Sequence, residues 1–264
     1  MINGSAMRIY GLYRHYILSM KRNPARIIEI LIWPAVEVTL FALLAASRHD
    51  ASGDTYGLTV AIITGILFWN FTARIIQETT AQFVDDYSSK NIQNIFVSPI
   101  TLGEMLTSVT AASVTKLLFS LCALGAVIQI VYPVFFASVG PQVFLWIFQL
   151  EFMGIGLSFF AIAAVLLAGE RVGFIGWMIS TVVQIFSLVF YERVALLGIL
   201  KYISYLIPSS YVFESIRAHV PGNPLLTTAQ ITAFLLSVTF LLIGTALVFA
   251  AYHEAKRRGT LTKL

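Results

Sequence analysis

Charge is what this sequence has least of. Of its 264 residues, 11% are charged and 58% hydrophobic, whereas an ordinary soluble domain carries roughly 25% charged residues. The shortfall excludes a soluble globular enzyme and implies an integral membrane protein. Cysteine is nearly absent: Cys122 stands alone in an apolar run, which excludes a disulfide framework and a cysteine-based metal site. The four histidines, His15, His49, His219 and His253, are scattered, and a six-span topology puts two on each side of the membrane, so no shared metal site is expected. No Ser–His pair suits acyl transfer and no aspartate cluster suits phosphotransfer, while Asp85–Asp86 reads as a solvated charge pair. No G-x-x-x-x-G-K-[ST] phosphate loop occurs, so ATP is not bound in that mode. Positive charge near the N-terminus is not followed by a short apolar core and a small-residue cleavage site, so no removable signal peptide is expected. No internal repeat of the kind that marks many secondary transporters is visible. A net charge of +4 is too modest to point to nucleic acid as a partner.

The residues that are present favour hydrocarbon-compatible helix. From Ser5 to Arg26, Ile9, Leu12, Tyr13, Tyr16, Ile17 and Met20 recur at steps of mostly three and four, while Arg8, Arg14, His15, Lys21 and Arg22 fill much of the rest. That pattern predicts a helix lying in the interface plane. Six apolar runs come after it, at 27–46, 58–76, 109–131, 142–167, 173–190 and 231–252, each near the roughly 20 residues that a ~30 Å core requires. Pro34 is expected to kink the first. Residues 1–264 therefore read as a single all-α transmembrane domain, with a polar loop at 77–108 and a second non-spanning region at 191–230. Six spans put both termini on one side. That side collects 13 of the Lys and Arg residues: five in the N-terminal segment, four in the tail, and Arg74, Lys90, Lys116 and Arg171. Arg48, Arg193, Lys201 and Arg217 fall opposite. The positive-inside rule then places the termini and the 77–108 stretch in the cytoplasm.

The longest polar interval, Gln77 to Met105, holds a short pattern of its own. Ile92, Ile95 and Phe96 fall at i, i+3 and i+4 in SSKNIQNIFV, and Pro99 cannot continue that helix. Thr101-x-x-Glu104 has capping-box spacing, which predicts a helix restarting into the third span. The product is a short helix across the cytoplasmic mouth, stiffly joined to a spanning helix, that a partner protein can grip. An ordinary solvated loop fits the same residues.

Two carboxylates, Glu37 and Glu151, fall near the middle of spans one and four, where a charge costs about 2.5–3.5 kcal/mol even on a lenient scale. They are expected to face a cavity, a partner chain or each other's neighbourhood, with Gln149 or Gln184 as hydrogen-bond partners. Such a group serves either as a substrate or proton site or as a structural bond between helices. Glu214 and Arg217 are three residues apart on one helical face and suit a local pair.

KNIQNIFVSPITLGEML resembles the loop after the second span in permease subunits of the ABC-2 type exporter family, and YLIPSSYVFESIR resembles that family's NPxxYxxEaxR segment before the last span. Ile207 stands where the family has asparagine. The resemblance implies that Asn91, Ile92, Asn94, Ile95, Phe96, Ser98, Pro99 and Glu104 belong to a coupling element seated in a separate ATPase. It implies an interface helix with Arg8, Arg14, Lys21 and Arg22 touching the same subunit. It also implies short re-entrant helices in the outer leaflet, bearing Pro208, Tyr211, Glu214 and Arg217. Two permease chains would form the pathway, with ATP and Mg held by the ATPase and no cofactor in this chain, in a bacterial inner membrane. Cargo would be a lipid, glycolipid, polysaccharide or hydrophobic drug. Trp69, Phe71, Trp146, Phe148 and Phe152 do not form the ladder that a long glycan favours, so an amphiphile is preferred. The alternatives are an ion-coupled carrier or channel using Glu37 and Glu151, and a non-transporting scaffold.

Overall fold

A chain this apolar has to pair its backbone N–H and C=O groups without help from water, and helices do so within one segment. The computed structural model describes residues 4–21, 28, 32, 35–36, 39–40, 55–89, 91–131, 140–219 and 227–259. Among the described residues there is no strand. The helices whose bounds fall among the described residues are α1 (Gly4–Lys21), α2 (Thr55–Ser88), α3 (Asn91–Val97), α4 (Leu102–Val131), α5 (Val143–Ala168), α6 (Ile175–Phe186), α7 (Ile199–Ser204), α8 (Pro208–His219) and α9 (Thr227–Arg257). Short 3₁₀ turns lie at Glu170–Val172 and Arg193–Ala195. Among the described residues, three stretches, Leu102–Ala126 in α4, α5 and α9, are long and apolar enough to cross a membrane. Arg22, Pro34 and Glu37, with most of the expected first span, lie outside the described residues.

Pairwise contacts fix how the helices run. Phe68 of α2 lies with its ring 6.4 Å from Trp146 of α5, and a Cβ on Gly154 would meet Thr72 and Ile75. Later residues meet later residues, so α2 and α5 are parallel. Gln149 bonds to Gln230 and Gly156 abuts Phe240, which makes α5 and α9 parallel too. Gln82 meets Ser113 while Glu78 meets Lys116, so α4 runs against α2. Gln77 with Ser180, and Thr80 with Gly176, set α6 against α2 in the same way. One end of the bundle, the near end, therefore carries α1, α3 and the α5–α6 turn. The far end carries α8 and the starts of α5 and α9. Each end has its own apolar core: Trp69, Trp146 and Phe213 anchor the far one, and Tyr16, Phe83, Ile92 and Met105 the near one.

Two expectations change. The polar interval after residue 76 is no loop at first, because α2 continues to Ser88 and buries Glu78, Thr79, Gln82 and Asp86. The partners of Glu78, Gln82 and Asp86 stand on neighbouring helices, so polarity here marks contacts inside the protein and not hydration. The stretch expected to cross as a fifth span holds a helix of 12 residues, Ile175–Phe186. At 1.5 Å per residue that is about 18 Å, too short to cross alone.

α5 and α9 meet backbone to backbone. A Cβ on Gly156 would stand 2.6 Å from the carbonyl carbon of Phe240, and one on Gly244 would strike the Gly156 carbonyl. Small residues permit this approach, which is how helices gain dispersion contact when lipid is as apolar as leucine. Gly156→Ala is therefore expected to cost about 1–3 kcal/mol and to lower the thermal midpoint of the solubilised protein. Gly103→Ala, whose new methyl would meet the Phe249 ring at 3.7 Å, should leave the midpoint unchanged. Equal midpoints for both variants would refute the close-packed seam.

Candidate functional site

The near end is built around two carboxylates. Asp86, buried at the end of α2, accepts a 2.6 Å bond from the Tyr16 hydroxyl of α1 through Oδ2. Its Oδ1 accepts a 2.8 Å bond from Nδ2 of Asn91, the first residue of α3. The solvated Asp85–Asp86 pair expected from sequence is thus half right: Asp85 is exposed and Asp86 is inside. Burial, and then the Asp86 charge, push the Tyr16 phenol far above its ordinary value.

Glu104 is the second carboxylate. The Thr101 N–H donates to its Oε2 at 2.9 Å and its own N–H donates to the Thr101 hydroxyl at 3.3 Å, which is the capping box that the spacing predicts. The same carboxylate takes a forked contact from Arg8 of α1, Nη2 to Oε1 at 2.6 Å and Nε to Oε2 at 3.1 Å, and a hydrogen bond from Ser5. The Ser108 hydroxyl donates to the Ile9 carbonyl at 3.1 Å. α1 is thereby tied along its length to the start of α4, with Leu12 and Tyr16 inward and Met7, Tyr10, Arg14 and Leu18 outward.

Between these anchors sits α3, seven residues long. Ile92 and Ile95 point into the near core against α1, α2 and α4, and are not an outward apolar face. Val97 is 89% exposed, Pro99 is exposed, and Asn91 and Ser98 are partly exposed. The Ser98 hydroxyl bonds to the Ile95 carbonyl. The side chains of Lys21, Asn94 and Phe96 lie outside the described residues.

Sequence reasoning missed two rungs below this site. Gln82 Nε2 donates to the Ser113 hydroxyl at 2.8 Å, and Lys116 Nζ reaches Glu78 Oε2 at 3.1 Å with both side chains buried. The signal was available, since Glu78, Gln82 and Asp86 are spaced by four and share one face of α2.

No family model matches the chain, and no curated protein matches it. At the far end, Glu214 pairs with Arg193 and not with Arg217: Nε and Nη2 of Arg193 each meet a Glu214 oxygen at 2.9 Å. Arg193 also donates to Ser210 at 3.0 Å and lies 4.0 Å over the Tyr205 ring and 4.9 Å over the Tyr211 ring. Arg217 donates to the carbonyl of Leu188, a residue held at φ 61°, and the Ser209 hydroxyl bonds to that of Ser187 at 2.7 Å. Pro208 opens α8, where its missing N–H costs nothing. In the spanning region, Gln149 donates to the Gln230 carbonyl at 2.9 Å and not to Glu151. Glu151 is buried, with Oε2 lacking a hydrogen-bond partner among the described residues. No group of three or more His, Cys, Asp or Glu among the described residues is placed to hold a metal.

Tyr16→Phe removes the bond to Asp86 and is expected to cost about 1.5 kcal/mol. Because folding raises the phenol's pKa, its contribution is complete below the ordinary tyrosine value of about 10 and drains away as pH rises beyond it. Thermal midpoints of wild type and variant should therefore converge in strong alkali, and a constant gap would contradict the assignment. Arg193→Lys keeps the charge but loses the fork and the guanidinium's contacts with two tyrosine rings. Limited proteolysis should then cut the 187–207 segment faster than in wild type, whereas unchanged cleavage would show that the fork does not hold it.

Proposed function

We propose that this chain is the membrane subunit of an ATP-driven exporter of the ABC-2 type, paired with a second copy and with a separate ATPase. The observation that carries the reading is α3, a short helix between two long ones, whose anchors Asp86 and Glu104 also hold α1. A partner that moves α3 moves α1, α2 and α4 together, which is what an external engine requires. In this reading the chain crosses six times in a bacterial inner membrane and the near end faces the cytoplasm. Arg8, Arg14, Arg171, Arg257 and Arg258 belong to the near end, and Arg193, Lys201 and Arg217 to the far end, the bias that the positive-inside rule requires. ATP and Mg belong to the partner. The stretch that holds α7 and α8 would be the outer re-entrant part, and the cargo an amphiphile such as a lipid, glycolipid or hydrophobic drug.

The inward placement of Ile92 and Ile95 moves the contact with the ATPase to the outer side of α3. Val97→Asp is expected to lower recovery of a co-expressed ATPase on the order of tenfold, the scale of losing one central contact, with the thermal midpoint unchanged. Ile95→Asp should unfold the near end instead. An ATPase that never co-purifies, or one recovered equally with Val97→Asp, sinks the coupling reading. A second reading, ion-coupled transport, draws on the buried and unpartnered Glu151 oxygen. It requires proton-driven uptake in vesicles that Glu151→Gln abolishes, without any ATPase.

A further inference from the structure

The buried polar residues between α2 and α4 form a zipper. On α2, Glu78, Gln82 and Asp86 repeat every four residues, and on α4 Ser113 and Lys116 stand one turn apart, all of them buried. The rungs are Glu78–Lys116 at 3.1 Å and Gln82–Ser113 at 2.8 Å, and Asp86 closes the row on Asn91 at 2.8 Å. Gln82 Nε2 also donates to the Glu78 carbonyl at 3.1 Å, which fixes its rotamer.

As a source of stability this arrangement is poor. Two charges removed from water lose most of their mutual attraction to desolvation, and a well-packed apolar pair in their place is commonly as stable or more so. What the pair supplies is register. Apolar faces of two helices in lipid discriminate weakly between one alignment and the next, because leucine on leucine resembles leucine on lipid. Sliding α4 by one turn, about 5.4 Å, would set Glu78 opposite Ser113 or Ser120 and leave Lys116 buried without its carboxylate. That mispairing is the penalty that selects one alignment, as a single buried asparagine does in a coiled coil.

We infer that Glu78, Lys116, Gln82 and Ser113 are positioning residues that lock the register of α2 against α4, so that the hairpin carrying α3 moves as one rigid lever. The register does not depend on the exporter reading; its use as a lever rests on that reading. A helix pair free to slip would absorb a push on α3 within the hairpin, whereas a locked pair delivers it to α5 and α6, against which α2 packs.

The test uses the full chain in lipid nanodiscs, spin-labelled at the native Cys122, which is exposed on α4, and at Ser88→Cys, exposed at the end of α2. The distance between them reports axial register. The native pair should give one narrow distance. Glu78→Leu with Lys116→Met should keep or raise the thermal midpoint yet add a second population displaced by about 5 Å, one helical turn. Exchanging the charges, Glu78→Lys with Lys116→Glu, should restore the single peak. A single unshifted peak in the apolar pair overturns the inference, as does a second peak that the exchanged pair retains. Should the apolar pair fail to fold, Gln82→Leu removes the neighbouring rung alone and is read in the same way, a broadened distance supporting the lock and an unchanged one overturning it. ATPase recruitment is read separately through Val97, so loss of the exporter reading would leave this result standing.

Discussion

Glu104 occupies the first turn of α4 and does two things with one carboxylate. It closes a capping box on Thr101, satisfying backbone donors that the helix start would otherwise leave open, and it takes a fork from Arg8 of α1. The position of the N-terminal helix is therefore set by the start of a spanning helix. α3 depends on the same arrangement. Seven residues cannot sustain a helix in isolation, so α3 persists because it is held from outside itself. Asp86 grips its first residue, the Thr101–Glu104 box fixes the chain that leaves it, and Ile92 and Ile95 sink into the core beneath.

Two different devices hold the long helices. α5 and α9 approach through Gly156 and Gly244 until backbone touches backbone, a seam whose specificity is steric. α2 and α4 are joined by charges and amides, and specificity there comes from the penalty of mispairing. The steric seam lies between helices that do not carry α3, and the polar one lies in the hairpin that does. In the exporter reading, a contact surface attached to a sliding hairpin would transmit little, which gives the costly buried pair a mechanical meaning.

The far end uses a third arrangement. The chain leaving α6 turns back through Leu188 and Arg193, and each is fastened to α8, by Arg217 and Glu214 respectively. The rings of Tyr205 and Tyr211, 4.0 Å and 4.9 Å from the Arg193 guanidinium, complete its surroundings. A segment without long helices is thereby held in place at the end of the bundle opposite α3, where an amphiphile leaving the protein would have to pass in the exporter reading.

Much of this was legible in the residues themselves. Low charge and long apolar runs pointed to an all-helical chain with membrane-spanning helices, and the runs at 109–131, 142–167 and 231–252 lie within α4, α5 and α9 almost in full. The three- and four-residue spacing over 5–26 marked α1. Ile92, Ile95 and Pro99 marked α3 and its end, and the Thr101–Glu104 box marked the start of α4. These are local signals, written in the period of one helix or the chemistry of one turn. Only the tertiary structure decided that Gln77–Ser88 prolongs α2 and is buried, that Ile92 and Ile95 face inward, that Glu214 belongs to Arg193 and that Glu78 belongs to Lys116. Hydropathy is a property of a residue, so a polar side chain reads as solvated until its partner is known. Those partners lie 21 and 38 residues away along the chain, and only the packing of helices brings them within hydrogen-bonding reach.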